Sequence, residues 1–229
     1  WVFIFPYLNP GEVWMSKKEK IIHIVKNKVL GDSRVIRSVK TLADEYANIQ
    51  VVCVGYSEGF VEPSMLENVE IDIVSVGSFK GIPRVFSRFL KYFLWHYKII
   101  KKYKNDNVIL IHNHELVPLL ISVHLKFLTK SFLIYDAHEL ETECRTNNFD
   151  ACMKPFYKIV EKFGISRSNK MIVVSDSIKN WYFIRNRNAE IEIIYNCPEI
   201  SENYSFELER KIITKPIKFV YCGALVPGR

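Results

Sequence analysis

The chain has 229 residues, 48% hydrophobic and 25% charged, so it can bury a sizeable core, and this composition excludes a disordered or fibrous protein. The formal net charge of +7 at pH 7 favours anionic partners, such as phosphate-bearing ligands or a membrane surface. Five cysteines without C-x-x-C spacing argue against a disulfide framework or a structural zinc site, and favour a reducing compartment.

The first residues are predicted to lie outside the fold. Residues 1–14 contain two prolines and lack the basic leader and small-residue cleavage site of a signal peptide. Met15 opens a stretch typical of a polypeptide start. We therefore expect residues 1–17 to be an extraneous or flexible segment; a genuine N-terminal extension is the alternative.

A first βαβ unit is predicted from residue 21 onward. The apolar run 21–25 indicates a buried strand, and 50–55 indicates a second strand. Between them a loop at 31–34 leads into a helix with apolar side chains at helical spacing, and Asp32 or Ser33 can cap it. The free N–H groups of such a helix offer an anion or hydroxyl site. The alternative is a plain cap beside a surface Arg34.

Residues 69–76 alternate at period two, as a half-covered or edge strand does. The next segment, 84–104, is predicted to be a basic, aromatic helix. At about 100° per residue one face collects Phe86, Phe89, Leu90, Phe93, Tyr97 and Ile100. Trp95 falls on the opposite face, among lysines and arginines, which suits an interface with anionic lipid. The alternative is a core-packing helix with a solvated basic back. No nucleic-acid-binding motif accompanies the helix, so we expect no nucleic-acid partner.

The centre of the chain carries the residue types best suited to binding or catalysis. Two apolar runs, 108–115 and 132–140, each end in a cluster of histidine and acidic residues, and a segment of helix length separates them. His112 and His114 alternate along one strand end and so point the same way. Because ligands of open α/β sheets bind beyond the carboxyl ends of the strands, the functional site is expected here.

Strand and helix continue to alternate after the centre. A helix at 154–168, a strand at 170–174, a Ser/Asp-capped helix at 178–187 and a strand at 190–197 are predicted. Together they predict a doubly wound, Rossmann-like parallel α/β sheet over residues 18–198. The polar segment 199–216 is predicted to be a linker. The apolar run with a glycine turn at 217–229 is predicted to open a second Rossmann-like domain.

In order and spacing, these segments resemble the retaining family 4 glycosyltransferases of GT-B fold. The residues that carry the resemblance are Asp32–Val35, His112–Glu115, Tyr135–Leu140, Val173–Ser175, Ile194–Asn196 and Phe219–Gly223. The resemblance implies an N-terminal acceptor domain and a C-terminal domain for a nucleotide diphosphate sugar. It further implies hexosyl transfer to a lipid-linked or polysaccharide acceptor, in cell-surface polysaccharide biosynthesis. A cytoplasmic enzyme at the inner membrane face, with no bound metal or other cofactor, is expected.

Roles for single residues follow from the same resemblance. His138 matches the histidine that contacts the transferred sugar, and Asp136 and Glu139 are expected to orient its ring. The acceptor side and cleft are expected to include Gly31, Asp32, Arg34 and His114. The donor side is expected to include Asn196, Gly223 and Arg229, the last as a partner of the donor diphosphate. The lysine and paired glutamates that complete this site in the family would lie beyond residue 229, so a polypeptide ending there is expected to be inactive.

Three rival functions remain open from the sequence. A metal-dependent hydrolase could use the ligand types at the strand ends, which are His112, His114, Asp136, His138 and Glu139. A nucleotide-sugar epimerase of the same architecture is the second. The third is a non-catalytic remnant or binding module.

Overall fold

A computed structural model describes residues 18–59, 64–66, 68–144 and 148–197. The predictions for 1–17 and for 199–229, including Gly223 and Arg229, lie outside these residues. The strands are β1 (Lys20–Ile24), β2 (Gln50–Ser57), β3 (Ser64–Leu66), β4 (Val69–Ser75), β5 (Val108–His114), β6 (Phe132–Ala137), β7 (Lys170–Val173) and β8 (Ile191–Ile193). The helices are α1 (Ser33–Glu45), α2 (Arg84–Tyr103), α3 (Leu119–Thr129), α4 (Glu141–Cys144), α5 (Asn148–Arg167) and α6 (Asp176–Arg185).

These elements form one sheet in the order β3-β4-β2-β1-β5-β6-β7-β8. Every pairing is parallel except that of β3 with β4. From the neighbouring strands β1 and β5 the chain winds outward in opposite directions, so a topological switch point lies between them. The predicted doubly wound, Rossmann-like α/β fold is confirmed.

Both faces of the sheet are covered, which explains the continuous apolar runs of the central strands. In β1, Ile22 and Ile24 belong to the cluster that includes residues of α2, α3, α5 and α6. Ile21 belongs to the opposite cluster, with apolar residues of α1. His23 alternates onto that second face. The switch point is thereby held between two packed layers.

The aromatic helix α2 packs the other way round from the predicted arrangement. Trp95 is fully buried, whereas Phe86 and Phe93 are 68% and 62% exposed. The indole N–H donates to the carbonyl of Gly55 at 3.3 Å, and Tyr56 packs edge-on against the ring. Burying the large indole with its N–H satisfied stabilises this face of α2 against the sheet, so the expected core face lies in solvent.

β4 is half-covered, as predicted, with partly buried residues between its buried ones, and the short antiparallel β3 pairs with its outer side. One element boundary differs from the prediction. α5 begins at Asn148, six residues before the predicted start, and it carries Pro155 in its interior. The predicted cap of α6 is confirmed, since the Ser175 hydroxyl accepts from the Ile178 N–H.

Candidate functional site at the switch point

A polar cavity of about 360 Å³ opens at the carboxyl ends of the central strands. Its walls come from the loop between β1 and α1, the first turn of α1, the segment after β6 and the segment after β8. The lining residues are Asn27, Lys28, Gly31, Asp32, Ser33, Arg34, His138 and Asn196. This is the position where doubly wound sheets bind ligands.

The loop after β1 is fixed by side-chain hydrogen bonds. Asn27 accepts from the Val29 N–H at 2.7 Å and donates to Asp32 at 3.0 Å. The other oxygen of Asp32 accepts from the Val35 N–H and caps α1. Val29 has φ +66°, an unfavourable backbone for a β-branched residue, and its buried side chain is held in the core. The rim of the cavity is therefore rigid.

Asp136 is the central anion beneath the cavity. Its buried carboxylate forms a two-point ion pair with Arg34, with N–O distances of 2.5 and 3.3 Å. Nε2 of His112 lies 3.3 Å away, and Nδ1 of His114 and Nε2 of His138 each lie 3.5 Å away. Burial alone would raise the pKa of Asp136, but hydrogen bonds from His112, His114 and His138 hold it well below its ordinary value. Asp136 is thus a permanent anion matched by Arg34.

Three fully buried imidazoles lie below that carboxylate. His23 and His112 are register partners on β1 and β5, and His114 follows two residues later on the same face. The His112 and His114 rings stack at 4.3 Å, which confirms that they point the same way. Nδ1 of His23 lies 3.0 Å from Nε2 of His114. Burial lowers the pKa of His114 to about 3, and that of His23 well below its usual value, so both rings are neutral at pH 7.

His138 is the imidazole that reaches the cavity. Nε2 of its ring faces Asp136, and Nδ1 lies 3.8 Å from the Glu115 carboxylate. Burial alone would lower the pKa of His138, but the hydrogen bond to Asp136 raises it above its ordinary value. A sugar hydroxyl could donate to Nδ1 when the ring is neutral, or accept from it when the ring is protonated. The ring is therefore suited to binding hydroxyl groups near neutral pH.

Of the eight sequence-predicted site residues that the structure describes, five line this cavity. Gly31, Asp32, Arg34 and Asn196 line it, and Asn196 accepts from Arg37 at 2.7 Å. A side chain at Gly31 would meet open space. His114 is fully buried behind the cavity wall. Glu139 is half-buried, and the carboxylate that lies near the His138 ring is that of Glu115.

Sequence reasoning assigned no role to Asn27, Lys28 or Glu115. Asn27 and Lys28 line the cavity, and Glu115 faces His138. The signal for Glu115 was its place after the His112–His114 pair, at the end of a strand predicted to be central. The direction of the Glu115 side chain depends on the backbone conformation after the strand. The pattern of apolar and polar residues does not encode that conformation.

Among the residues that the structure describes, two groups could hold a metal ion. They are His23 with His112 and His114, and His114 with Asp136 and His138; in each group the ligand atoms lie within 4.8 Å of one another. Nε2 of His23 has no hydrogen-bond partner among the described residues. Against a metal, the Asp136 charge is already matched by Arg34, and Nε2 of His114 is hydrogen-bonded to His23.

The sequence model of glycosyltransferase family 4 matches residues 33–201, which is most of the described sheet and its helices. The chain belongs to glycosyltransferase family 4. The match includes Arg34, Asp136 and His138, the residues that build the cavity floor and wall. No protein with a curated description matches the chain in sequence.

Solved structures share the fold at low sequence identity. Sucrose-phosphate synthase from Thermosynechococcus elongatus is 16% identical with a TM-score of 0.57, and the match covers 77% of this chain and 48% of that one. The lipopolysaccharide outer core galactosyltransferase WaaB, in its apo form, is 13% identical with a TM-score of 0.50, covering 80% and 47%. A ugt transferase from Siraitia grosvenorii in complex with UDP is 8% identical with a TM-score of 0.50, covering 77% and 50%.

The family 4 chain thus has the fold of one half of a GT-B glycosyltransferase, and spans about half the length of these structures. In the part of the chain that the structure describes, no helix is long and apolar enough to cross a membrane.

Proposed function

We propose that this chain is the acceptor-side domain of a retaining GT-B glycosyltransferase. The whole enzyme would transfer a hexose from a nucleotide diphosphate sugar to a lipid-linked or polysaccharide acceptor, in cell-surface polysaccharide synthesis. The observation that carries the proposal is the position of the His138 ring on the cavity wall. In a family 4 domain, this imidazole stands on the wall of the switch-point cavity and is fixed from behind by the Asp136 carboxylate.

His138 would bind a hydroxyl of the transferred sugar near its anomeric carbon. In such a transfer the sugar gains positive charge as the diphosphate leaves, and a fixed polar group that favours this state lowers the barrier. Asp136 is already neutralised by Arg34, so it can position the ring without placing a net negative charge in the cavity. The donor diphosphate would bind to the other half of the enzyme. Gly223 and Arg229 are proposed to contribute there, with Asn196 at the border.

A nucleotide-sugar donor is supported by the fold neighbours, one of which is in complex with UDP. The cavity of about 360 Å³ has room for one hexose, whereas a whole nucleotide sugar would need the facing domain as well. A chain ending at residue 229 is accordingly proposed to be inactive in transfer. We also propose that catalysis needs no metal, because the Asp136 charge is matched by Arg34.

The enzyme is further proposed to work at the cytoplasmic face of a membrane, through α2. Residues 73–105 contain no acidic residue and eight cations, which are Lys80, Arg84, Arg88, Lys91, Lys98, Lys101, Lys102 and Lys104. The same helix exposes Phe86, Phe93 and Tyr97 by more than 60% each. A helix that exposes aromatic rings and also carries cations can bind anionic lipid through burial of the rings and attraction to the headgroups.

The membrane proposal is tested with vesicles of phosphatidylglycerol against vesicles of phosphatidylcholine. Replacing Phe86 and Phe93 by serine should weaken binding to anionic vesicles by about tenfold per ring, since a buried Phe contributes about 1.5–3 kcal/mol when fully transferred. Phe183→Ser is the matched control, because Phe183 is 51% exposed on α6. Equal losses in the α2 and α6 variants would refute a membrane face on α2.

The transfer proposal is tested with the full gene product and radiolabelled donors. The panel is UDP-glucose, UDP-galactose, UDP-N-acetylglucosamine and GDP-mannose, each with and without bacterial lipid extract and with and without EDTA. The proposal predicts label in the lipid or polysaccharide fraction with one donor, only when acceptor is present, and unchanged by EDTA. Epimerised donor without acceptor would indicate an epimerase, and loss of activity with EDTA would indicate a metal-dependent enzyme.

A further inference from the structure

Glu115 has an unusual backbone at the most central strand end of the sheet. It directly follows β5 at the switch point, and its φ is +67°. This left-handed conformation is unfavourable for a residue with a Cβ atom, and such residues cluster at functional sites. Val29, the other left-handed residue near the cavity, is explained by its buried side chain. Glu115 is only partly buried, so core packing does not explain its conformation.

Neighbouring groups hold the Glu115 backbone from both sides. Its N–H donates to the carbonyl of Asp136 at 2.9 Å. Its own carbonyl accepts from the side-chain amide of Asn113 at 2.7 Å, and Asn113 is fixed in turn by the buried hydroxyl of Ser122. These bonds tie the strained peptide to β6 and to α3. The direction of the Glu115 side chain is therefore set by the scaffold.

That direction places the carboxylate beside the sugar-binding ring. Its Oε1 lies 3.8 Å from Nδ1 of His138, and the side chain is 37% exposed. Burial, and then the charge of Glu141, raise the pKa of Glu115 to about 6, so the group is largely ionised at pH 7. Within the described part of the chain, the His138 ring is the basic group that lies within 4 Å of this carboxylate. A fixed, partly exposed carboxylate in this place has lone pairs left for hydroxyl donors.

On the strength of the proposed function, we propose that the Glu115 carboxylate binds the acceptor hydroxyl group that receives the sugar. His138 then holds the sugar on one side, and Glu115 holds the incoming hydroxyl on the other, with their side chains in contact range. Glu115 becomes a specificity-determining residue for a hydroxylated acceptor, and the strained backbone fixes the distance between the two substrates.

The test separates acceptor use from donor chemistry. The full gene product is assayed with the donor that the wild type uses from the panel, for transfer to lipid extract and for slow donor hydrolysis without acceptor. Glu115→Gln should lower kcat/KM for the acceptor by about 10- to 100-fold, the range for losing a hydrogen bond to a charged group. Donor hydrolysis should fall by a smaller factor than transfer does, because water needs no acceptor site.

A second pair of variants separates the role of the carboxylate from that of the backbone. Glu115→Gly removes the carboxylate and relieves the positive φ, so its thermal midpoint should not fall while transfer is lost. Lys130→Gly is the matched control, since Lys130 is exposed at the end of α3 with φ +59°, and it should keep full transfer.

Equal losses of transfer and hydrolysis in Glu115→Gln, or no loss in either, would overturn the acceptor role and leave the proposed function intact. A folded wild type that transfers no sugar from any donor of the panel would overturn both.

Discussion

Replacing Arg34 by methionine tests how much the Arg34–Asp136 ion pair contributes to the unfolding free energy. Arg34 and Asp136 are 11% and 3% exposed, and their two-point contact is the closest ion pair in the site. The methionine keeps the volume of the side chain but leaves a buried carboxylate without its cation. Breaking a buried pair from one side costs about 3–5 kcal/mol of unfolding free energy. We expect that loss in full at pH 8.

Part of the loss should be recovered in acid, because His138 can replace the missing charge. The charge of Arg34 now opposes protonation of His138, so its removal raises the folded pKa of that histidine further. A histidine with a raised folded pKa adds stability below its unfolded pKa and loses it as pH rises through the folded value. The loss of unfolding free energy in Arg34→Met should therefore be smaller at pH 5.5 than at pH 8.

Guanidinium unfolding of Arg34→Met and wild type at the two pH values measures both effects. Arg37→Met is the control, since Arg37 lies one turn further along α1 and bonds Asn196 at the surface. It should change the unfolding free energy by less than about 1 kcal/mol at either pH. A loss in Arg34→Met below about 1 kcal/mol, or one that is equal at pH 5.5 and pH 8, would refute the reasoning.

Two further pairs of variants test the packing around the site. Trp95→Ala should cost about 3–5 kcal/mol in chemical unfolding and Phe93→Ala less than about 0.5, because only the first ring is buried; the reverse order would restore the sequence-predicted faces of α2. Gly55→Ala should lower the thermal midpoint, since its Cβ would lie 2.7 Å from the carbonyl of Asn27, whereas Gly31→Ala meets open space and should leave the midpoint within about 2 °C. Equal midpoints for the two alanine variants would contradict this account of the loop after β1.

The sequence was sufficient for the architecture because burial on two faces leaves a strong pattern. The apolar runs around Ile22 and Ile111 are continuous, since both faces of their strands are covered. Ligand types at the ends of successive strands then had to meet at one sheet edge, which is why the histidines of β5 and the segment Asp136–His138 were expected in one site. Predicting the fold class therefore required no knowledge of particular contacts.

The hydrophobic pattern of the sequence could not predict contacts between distant segments. Arg34 and Asp136 are 102 residues apart, and nothing in either segment records the partner. In α2, Trp95 is buried although it lies among cations in the sequence pattern, because the distant Gly55 offers its carbonyl to the indole N–H. The left-handed turn at Glu115 is imposed by Asn113 and Asp136, so local preference could not predict it.

The most direct measurement of the central claim is the rate of sugar transfer by the full gene product with His138 replaced by alanine. His124→Ala serves as the matched control, because His124 is an exposed histidine on α3, where it pairs with His96. With both variants folded, the account predicts a fall of about 10²-fold for His138→Ala, as for loss of one group that stabilises a transition state, and near wild-type transfer for His124→Ala. Undiminished transfer by His138→Ala would contradict the assignment of the switch-point cavity as the site of sugar transfer.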